Sequence, residues 1–472
     1  MKNSIQLAFI QPLVLFASIH FNETIAAEEN HGPCKIVVLD KSTDQPVPLI
    51  ELRTTNQIRF ITDNAGVVAF DALELMNRET WLEVHGHGYE VPADGFGMRG
   101  VRITPRPGAS ITLKIDRKMI AQRLGRLTGI GLFAESQKLG DFKDWKESPI
   151  VGCDTVQVVE HRGKIFWNWG DTNIARYPLG NFHMTGAYTA LNPFSSIDVP
   201  IRPSFDYRLK GDGSPKAMAP IAGSGPTWLT GYLSLKDTSG QEHLVACYRK
   251  IKAPLATYEI GLCEWSDEKE EFQSTKILWK ASDGKPAPTL LPEGHPIRWT
   301  DDDGHRWILF GNPLPSVRCR DEYEAWQESS NWEALDHQKE LVGAPVNEIV
   351  KPHTGSIAWN AFRKRWVTIF MQHFGKPSAF GELWYAESNS PMGPWGNAVK
   401  ILTHDNYTFY NPRVHAEFSP TDSPILLFEG TYTETFANKP TPTARYDYNQ
   451  ILYRLDLNDP RLQASQVIDH SR

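Results

Sequence analysis

Short segments in which hydrophobic residues alternate with polar ones make up most of this chain. The stretch GCDTVQVVEHRGKIFWNWGDT, residues 152–172, is a clear example. Its alternating hydrophobic residues are Val156, Val158, Ile165, Trp167 and Trp169. This period of two is typical of half-buried β-strands, and the polar, glycine-containing turn at 161–164 predicts a hairpin.

Two aspartates bracket this hairpin. Asp154 stands just before its first hydrophobic run and Asp171 just after its second. Because a hairpin brings its two ends together, we expect the two carboxylates to lie near each other. They are either two unrelated loop acids or a working pair.

The segment 33–116 is predicted to be a small β-sandwich. It contains short alternating strands separated by Pro, Gly and Asn turns: CKIVVLD, IELRTT, IRFITD, VVAF, WLEVHG and ITLKI. About 80 residues is a normal domain size. The segment resembles the carboxypeptidase-regulatory-like, transthyretin-like sandwiches, which implies a structural or docking element. It contains no clustered acid–base pair, so we expect it to be dispensable for any activity.

Residues 117–144 are interpreted as a linker with a short helix. The stretch RKMIAQRLGRL, residues 117–127, is apolar and basic, contains no Pro, and is followed by a stop signal at Gly129. A connector helix over 117–127 would separate the sandwich from the remainder of the chain.

Residues 145–460 contain a loose internal repeat of a strand, a polar turn and an aromatic-rich strand. Five units begin near residues 156, 243, 295, 355 and 412. Repeated four-stranded units that bury their faces against their neighbours are typical of β-propellers. The predicted fold class is therefore all-β, with a small β-sandwich followed by a five-bladed β-propeller.

The N-terminal segment has the layout of a secretory signal peptide. Lys2 precedes an apolar run, and Ala26 and Ala27 form a small-residue cleavage site. We therefore expect removal of residues 1–27, a secreted or periplasmic protein, and no membrane span after cleavage. A buried N-terminal helix or an uncleaved anchor is the alternative.

Composition narrows the possible partners. The net charge of −7 argues against a nucleic-acid binder, which would need a basic face. The 15 Trp and 15 Tyr, with 33 Pro and 35 Gly, are typical of all-β enzymes and carbohydrate binders. Five scattered cysteines form no zinc motif, although Cys247 and Cys263 could pair across adjacent strands. We expect a monomer without a cofactor.

Two features together resemble known sugar-cleaving propellers. Asp154 followed by an apolar strand, a His-Arg-Gly-Lys turn and aromatic residues resembles the first blade of glycoside hydrolase families 43 and 32. The phrase LWYAESNSPMGPW, residues 383–395, resembles their outer-strand turn. A closer resemblance is to the family called domain of unknown function 4185, also five-bladed, some members of which cleave D-arabinan as glycoside hydrolase family 183. The matching segments are 152–154, 169–172 and 410–413, and the resemblance covers roughly 145–455.

This resemblance implies a secreted glycoside hydrolase acting on a polysaccharide or oligosaccharide, for example a furanoside such as an arabinan. Such chemistry uses two carboxyls that flank the scissile bond. The predicted catalytic residues are Asp154 and Asp171, one of which must keep its proton near neutral pH. As an alternative, Asp171 simply ends a strand, a position that Asp favours.

Further residues are predicted to bind substrate. The candidates are Trp169, Asn173, Arg176 and His183 after the hairpin, and Asn411, Arg413, His415 and Glu417 near the C terminus. The last three alternate along a strand, which favours a polar pocket, and Glu417 is a reserve acid. No metal site is predicted. Residues 301–304 are interpreted as a solvated turn, and a metal site at His295 or His353 is kept only as an alternative interpretation.

Two other functions remain open. A polysaccharide lyase would use a His or Tyr base, for example His183 or His415, instead of two acids. A non-catalytic glycan-binding propeller would use Asp154 and Asp171 only as hydrogen-bond partners.

Overall fold

A computed structural model describes residues 32–176, 183–193, 197, 199–420, 422–438 and 441–466. The expected signal peptide lies outside these residues. Strands dominate the described chain, as predicted for an all-β protein. No helix in the described ranges is long and apolar enough to cross a membrane.

The N-terminal unit is a β-sandwich. Its strands are β1 (Cys34–Asp40), β2 (Glu51–Thr54), β3 (Arg59–Ile61), β4 (Val67–Phe70), β5 (Thr80–His85), β6 (Tyr89–Glu90), β7 (Gly100–Ile103) and β8 (Ser110–Arg117). One sheet has the order β4-β1-β8-β6 and the other β3-β2-β5-β7. Buried and half-buried residues alternate along β1, which is the period-two pattern of the sequence. A 3₁₀ turn spans Leu73–Leu75.

The helix predicted over 117–127 is wrong. The structure has strand β9 (Gln122–Arg126) there, and the short helix α1 (Ala134–Lys138) comes later. All residues of β9 are buried, and they pair with the strand Asn449–Asp456 at the other end of the chain. Hydrogen bonding and burial in a distant sheet therefore override the local helical propensity.

The strands that follow lead into the first two blades. They are β10 (Gly152–Cys153), β11 (Val156–His161), β12 (Lys164–Trp169), β13 (Thr172–Asn173), β14 (Thr185–Thr189), β15 (Asp206–Tyr207), β16 (Thr227–Lys236), β17 (Glu242–Lys252), β18 (Ala256–Ser266) and β19 (Glu271–Lys280). Strands β11, β12, β14 and β15 form blade 1, and β16 to β19 form blade 2. Strands β10 and β13 pair beside blade 1.

The remaining strands form three more blades. They are β20 (Ile297–Thr300), β21 (Arg306–Gly311), β22 (Pro315–Arg320), β23 (Glu333–Ala334), β24 (Leu341–Ala344), β25 (Glu348–Val350), β26 (Pro352–Asn360), β27 (Arg365–Gln372), β28 (Leu383–Ser388), β29 (Ala398–Leu402), β30 (Thr408–Val414), β31 (Ile425–Thr433) and β32 (Asn449–Asp456). Blade 3 is β20 to β23, blade 4 is β26 to β29 extended by β24 and β25, and blade 5 is β30 to β32 completed by β9. The short helices are α2 (Tyr323–Gln327) and the 3₁₀ turns Ala281–Asp283, Ser329–Asn331 and Pro460–Ser465.

Within the described residues the predicted five-bladed propeller is confirmed, with one shift. The repeat unit placed at residue 243 omitted β16, the first strand of blade 2. The first strand of each blade is the inner one: β11 lies against β16, and β26 against β30. The face of the propeller on which these inner strands begin is called the entry face below.

The sandwich and the propeller share one hydrophobic core. Ile36 and Leu82 of the sandwich belong to the same buried cluster as Ile401 and Tyr453 of the propeller. Arg123 of β9 is fully buried between the two units. It donates hydrogen bonds to Tyr453 Oη at 3.0 Å, and across the junction to the carbonyls of Pro48 at 3.0 Å and His87 at 2.7 Å.

A second set of contacts fixes the same junction. Asn64 of the sandwich donates from Nδ2 to the carbonyl of Arg126 at 3.0 Å and accepts from its main-chain nitrogen at 2.9 Å. Tyr446 of the propeller donates to the carbonyl of Thr62 at 2.7 Å. The physical basis for a dispensable sandwich, a separating linker helix, is therefore absent. The sandwich is one wall of the propeller's core.

The cysteines form no disulfide. All five are buried free thiols, lying at 34, 153, 247, 263 and 319. Strand register places Cys247 opposite Leu262 and Cys263 opposite Ala246, so the two thiols that could have paired are not cross-strand partners. Burial raises the pKa of Cys247 and Cys263 well above its usual range, which leaves them as apolar core residues.

Candidate active site

The structure brings Asp154 and Asp171 together on the entry face. In the β11–β12 hairpin Val156 pairs with Trp169, so the residues beyond this pair meet. The main-chain nitrogen of Asp154 donates to the carbonyl of Asp171 at 3.3 Å, and that of Gly170 donates to the carbonyl of Asp154 at 2.8 Å. The hairpin predicted from alternation thus places both acids at the start of blade 1.

Asp154 is a partly buried carboxyl held by two phenols. Tyr410 of β30 donates from Oη to Asp154 Oδ2 at 2.6 Å, and Tyr448 also hydrogen-bonds the carboxyl. Burial and the neighbouring charge of Asp171 raise the pKa of Asp154 to about 7, although both tyrosines act to lower it. At neutral pH this group is therefore poised between its protonated and ionised forms.

The close fit of the Asp154 carboxyl depends on Gly170. A Cβ atom at residue 170 would lie 2.0 Å from Asp154 Oδ1, which no side chain tolerates. The glycine in the Trp-Gly-Asp sequence therefore leaves the space that the carboxyl occupies.

Asp171 faces blade 2. Trp228, the second residue of β16, donates from Nε1 to Asp171 Oδ1 at 3.1 Å. Burial raises the pKa of Asp171, and the Trp228 hydrogen bond opposes this effect. The two acids thus have different partners, two phenols for one and an indole for the other.

Backbone strain is concentrated around Asp154. Thr155, Asn411 and Tyr448 all have left-handed backbone conformations, with φ of 39°, 50° and 57°. A β-branched or aromatic residue in this region is an outlier that costs free energy. Asn411 Nδ2 donates to Thr155 Oγ1 at 2.5 Å, and Thr155 N donates to Thr431 Oγ1 at 3.0 Å. These bonds hold the strained residues of blades 1 and 5 in place.

A charged cluster lies in the central channel, further along the inner strands from the entry face. Arg413 donates from Nη1 to Glu417 Oε1 at 2.6 Å and from Nη2 to the carbonyl of Val158 at 2.9 Å. His415 lies between two acids, with Nε2 2.8 Å from Glu429 Oε1 and Nδ1 3.4 Å from Glu417 Oε1. Arg413, His415 and Glu417 do converge, with Glu429 as a fourth member, but not along one strand as predicted. Strand β30 ends at Val414, so His415 and Glu417 lie on the turn that follows it.

The electrostatics of this channel cluster oppose the reserve role proposed for Glu417. Burial acts to raise the pKa of Glu417, but Arg413 and His415 outweigh it and hold that pKa at about 2. Such a group stays ionised and cannot donate a proton at neutral pH. Burial acts to lower the pKa of His415, and its hydrogen bonds to Glu417 and Glu429 reverse this and raise it.

His295 shares this channel. Burial, Arg413 and His415 lower the pKa of His295 to about 3. The imidazole is therefore neutral beside a guanidinium, as expected when a second cation would be unfavourable there.

Trp169 is misplaced in the prediction. Its side chain is fully buried, stacked on Trp167 at a ring distance of 6.1 Å and packed edge-on against Phe205. Its ring faces are therefore core surface, and a sugar cannot stack on them. Period-two alternation placed Trp169 correctly on a strand without showing which face of the blade is covered.

The three other predicted residues after the hairpin have different surroundings. Arg176 is exposed, and its guanidinium is 4.0 Å from Asp212. His183 is half-buried, and burial and Lys250 lower its pKa. Asn173 pairs through its backbone with Gly152, which fixes the end of the hairpin.

Sequence reasoning missed three residues that contact the acids. Tyr410 lies in the segment 410–413 of the resemblance but was assigned no role. Trp228 is the second residue of β16, a strand that the repeat pattern did not include. Tyr448 lies in the loop between β31 and β32, where no periodicity marks it. Of the three, Tyr410 alone had a usable signal, its place beside Asn411 at the start of an inner strand.

Two other features of the molecule lie elsewhere. The acids at 301–303 form an exposed turn in which Asp301 accepts hydrogen bonds from the turn's own backbone and from Trp307 Nε1 at 2.7 Å. Atoms of Asp301, Asp303 and His305 lie within 4.8 Å of one another there.

A cleft of about 610 Å³ lies between the sandwich and blades 4 and 5. Its arginines pair with acids, for example Arg59 with Glu51 at 2.6 Å.

Comparisons with known proteins give weak similarities. No protein-family model matches the chain, and no curated protein matches its sequence. Solved structures with a similar fold include an exo-1,5-α-L-arabinanase from a bovine ruminal metagenomic library, with a TM-score of 0.38, 10% identity, and coverage of 66% of this chain and 94% of that one. The native arabinanase of Bacillus subtilis has a TM-score of 0.33, 12% identity and coverage of 64% and 93%. An exo-β-1,3-galactanase of Phanerochaete chrysosporium with bound β-1,3-galactotriose has a TM-score of 0.37, 10% identity and coverage of 68% and 63%.

Proposed function

We propose that this protein is a glycoside hydrolase that cleaves a polysaccharide with Asp154 and Asp171. The observation that carries the proposal is the pair itself: two acids at the start of one blade, adjacent through their backbones and each with a raised pKa. Glycosidic hydrolysis needs one carboxyl that donates a proton to the leaving oxygen and a second that activates water or attacks the sugar.

The surroundings of the two acids suggest separate roles. Asp154, with a pKa of about 7, holds its proton for much of the time at neutral pH and acts as the general acid. Asp171 acts as the carboxylate, oriented by the indole N–H of Trp228. Tyr410 keeps the Asp154 carboxyl in one orientation through its hydrogen bond to Oδ2.

The chemistry is tested with a polysaccharide panel. New reducing ends are measured with linear 1,5-α-L-arabinan, D-arabinan, β-1,3-galactan and xylan, using wild-type protein and Asp154→Asn. We expect the wild type to release reducing ends from at least one polymer, and the variant to be slower by about 10²- to 10⁴-fold, the usual contribution of a general acid. Asp303→Asn, at an exposed turn, serves as the matched control.

A further comparison distinguishes the two roles. An aryl glycoside of the sugar identified by the panel has a leaving group that needs no proton. Asp154→Asn is therefore expected to retain most of its rate on that substrate, whereas Asp171→Asn loses it on both. Ultraviolet absorbance from an unsaturated uronate would instead identify a lyase. Binding without new ends, across the whole panel, would identify a non-catalytic glycan-binding protein.

A further inference from the structure

Two exposed phenylalanines lie on the same face of the propeller as the carboxyl pair. Phe374 has 67% of its surface exposed and Phe436 has 69%. Phe374 lies in the loop between β27 and β28, and Phe436 in the loop between β31 and β32. Because the second strand of a blade runs back to the face on which the first begins, both loops lie on the entry face.

The backbone at both residues is strained. Phe374 has φ of 54° and Phe436 has φ of 64°, the left-handed region that favours Gly or Asn. Both rings remain largely exposed, so burial of the side chain offsets little of this strain. Strained residues that lack a stabilising role are concentrated at binding and catalytic sites.

The two exposed rings belong to one series of contacting aromatic rings. Phe436 is 6.5 Å from Tyr410 and 6.1 Å from Phe380 between ring centroids, and Phe380 is 5.5 Å from Phe374. We call the four rings of Tyr410, Phe436, Phe380 and Phe374 the aromatic ledge. The ledge begins at the phenol that hydrogen-bonds Asp154 and extends outward over blades 4 and 5.

Two imidazoles support the outer end of the ledge. His373 stacks on Phe374 at 4.1 Å with an interplanar angle of 28°, and His353 stacks on His373 at 5.0 Å with an angle of 13°. Stacking fixes the orientation of the Phe374 ring without covering it, because the ring remains largely exposed. The outer ring of the ledge therefore has a fixed orientation while its surface stays accessible.

We propose that the aromatic ledge binds the sugar chain of the substrate beyond the scissile bond. The apolar C–H faces of sugar rings stack on aromatic faces, and rings in series offer such a face to successive sugars. The rings meet at interplanar angles of 42°, 77° and 72°, so their exposed faces point in different directions and suit several sugars of a bent chain better than one flat ring. The proposal rests on the proposed function, since it assumes that the chain starts at Asp154.

Affinity electrophoresis of an Asp154→Asn protein tests the ledge without hydrolysis. The gels contain linear 1,5-α-L-arabinan, D-arabinan, β-1,3-galactan or xylan, and Phe374→Asn and Phe436→Asn are added to the Asp154→Asn background. Asn is at ease in the left-handed region, so we expect unchanged or higher thermal stability. We also expect each variant to bind the retarding polymer about tenfold more weakly, because a large apolar contact is lost.

Phe96→Asn is the matched control, since Phe96 is 95% exposed on a turn of the sandwich. It should leave retardation unchanged. Equal retardation of the two ledge variants and their parent, or no retardation of the parent by any polymer, would overturn the proposal.

A second assay tells a failure of the ledge proposal from a failure of the proposed function. It measures reducing-end release by proteins that retain Asp154. Hydrolysis unaffected by Phe374→Asn and Phe436→Asn would overturn the ledge and leave the hydrolase intact. Retardation that the ledge variants lose, in a protein whose wild type releases no reducing ends, would support the ledge and overturn the hydrolase.

Discussion

Tyr410 Oη lies 2.6 Å from Asp154 Oδ2, although 256 residues separate the two in the chain. The bond joins the inner strand of the last blade to Asp154, which lies just before the inner strand of the first blade. A phenol that donates to a carboxylate stabilises its ionised form, so Tyr410 opposes the effect of burial on Asp154. The pKa of the proposed acid is thus set by a contact that closes the propeller ring.

Replacing Tyr410 with Phe removes one donor from Asp154, so the pKa of Asp154 should rise above about 7. As the acid must be protonated to act, the high-pH limb of the kcat/KM profile should move to higher pH. The rate at the optimum should fall about tenfold, the loss of one hydrogen bond to a charged group. Tyr258→Phe, which removes a surface hydrogen bond to the carbonyl of Ser224, is the control and should leave the profile in place.

Asp154 should also make the stability of the protein depend on pH. Its pKa is about 7 in the folded chain and about 3.9 in the unfolded one, so between these values the folded state binds more protons. Stability should therefore fall as pH rises from about 4 to about 7. Urea unfolding at pH 5 and pH 8 should show Asp154→Asn gaining about 1–2 kcal/mol relative to wild type at the higher pH, after allowance for solvent screening. An identical pH dependence of the two proteins would contradict this.

Adding a single methyl group at residue 170 should displace the Asp154 carboxyl and lower the rate of hydrolysis. In Gly170→Ala the new Cβ would overlap Asp154 Oδ1, so the carboxyl must rotate or the hairpin must shift. A displacement of about 1 Å at a reacting group lowers rates by roughly 10²-fold. Gly211→Ala adds the same methyl group where no atom lies within 4 Å, and reducing-end assays should show it to be fully active.

The channel cluster should contribute mainly to stability. Arg413→Met leaves Glu417 ionised in the channel without its guanidinium partner, and removes the hydrogen bond to Val158 of blade 1. Because the Glu417 side chain keeps 26% of its surface exposed, we expect a loss of about 1–2 kcal/mol in the free energy of unfolding, measured with urea, which is less than for a fully buried pair. Arg162→Met, which breaks an exposed ion pair with Asp267, should cost less than about 1 kcal/mol. A comparable loss for both variants would show that the cluster is not special.

The junction between sandwich and propeller should be just as sensitive. Asn64→Ala leaves the main-chain N–H and C=O of Arg126 without their buried partners. The expected destabilisation is about 2–3 kcal/mol, against about 1 kcal/mol or less for Asn56→Ala at an exposed turn, which removes one hydrogen bond from Thr54 Oγ1. Deletion of residues 32–117 should yield insoluble or unfolded protein, because it uncovers core residues such as Tyr453. A soluble, cooperatively folding propeller would show that the shared core is not required.

The fold was largely predictable because its strands are local patterns. Alternation along β1 and along the β11–β12 hairpin reflects one buried face, and a chain with these periods has few other ways to cover it. The segment 117–127 was not predictable in this way. Strand β9 forms because it pairs with β32, which lies at the far end of the chain. Local propensity carries no information about such a partner.

The same difference between local and distant contacts decides which parts of the candidate site were predictable. Asp154 and Asp171 could be placed together because a hairpin joins them over a short distance. The contribution of Tyr448 to Asp154 depends on a loop of blade 5 whose path no periodicity fixes. The burial of Trp169 depends on Phe205 and on the packing between blades, which the alternation of one strand does not reveal.

Closure of the ring by β9 and β32 also sets the order in which the molecule can be completed. Arg123 meets Tyr453, and 330 residues of chain separate them. Until residue 453 has been synthesised, β31 presents an unpaired edge, and β9 has no partner in the fifth sheet. Open sheet edges invite pairing with other chains. A chain that stops just short of Asn449 therefore lacks far more than its last strand. It is left as an open ring, prone to aggregate, in which Tyr410 of the last blade and Asp154 of the first are not held together.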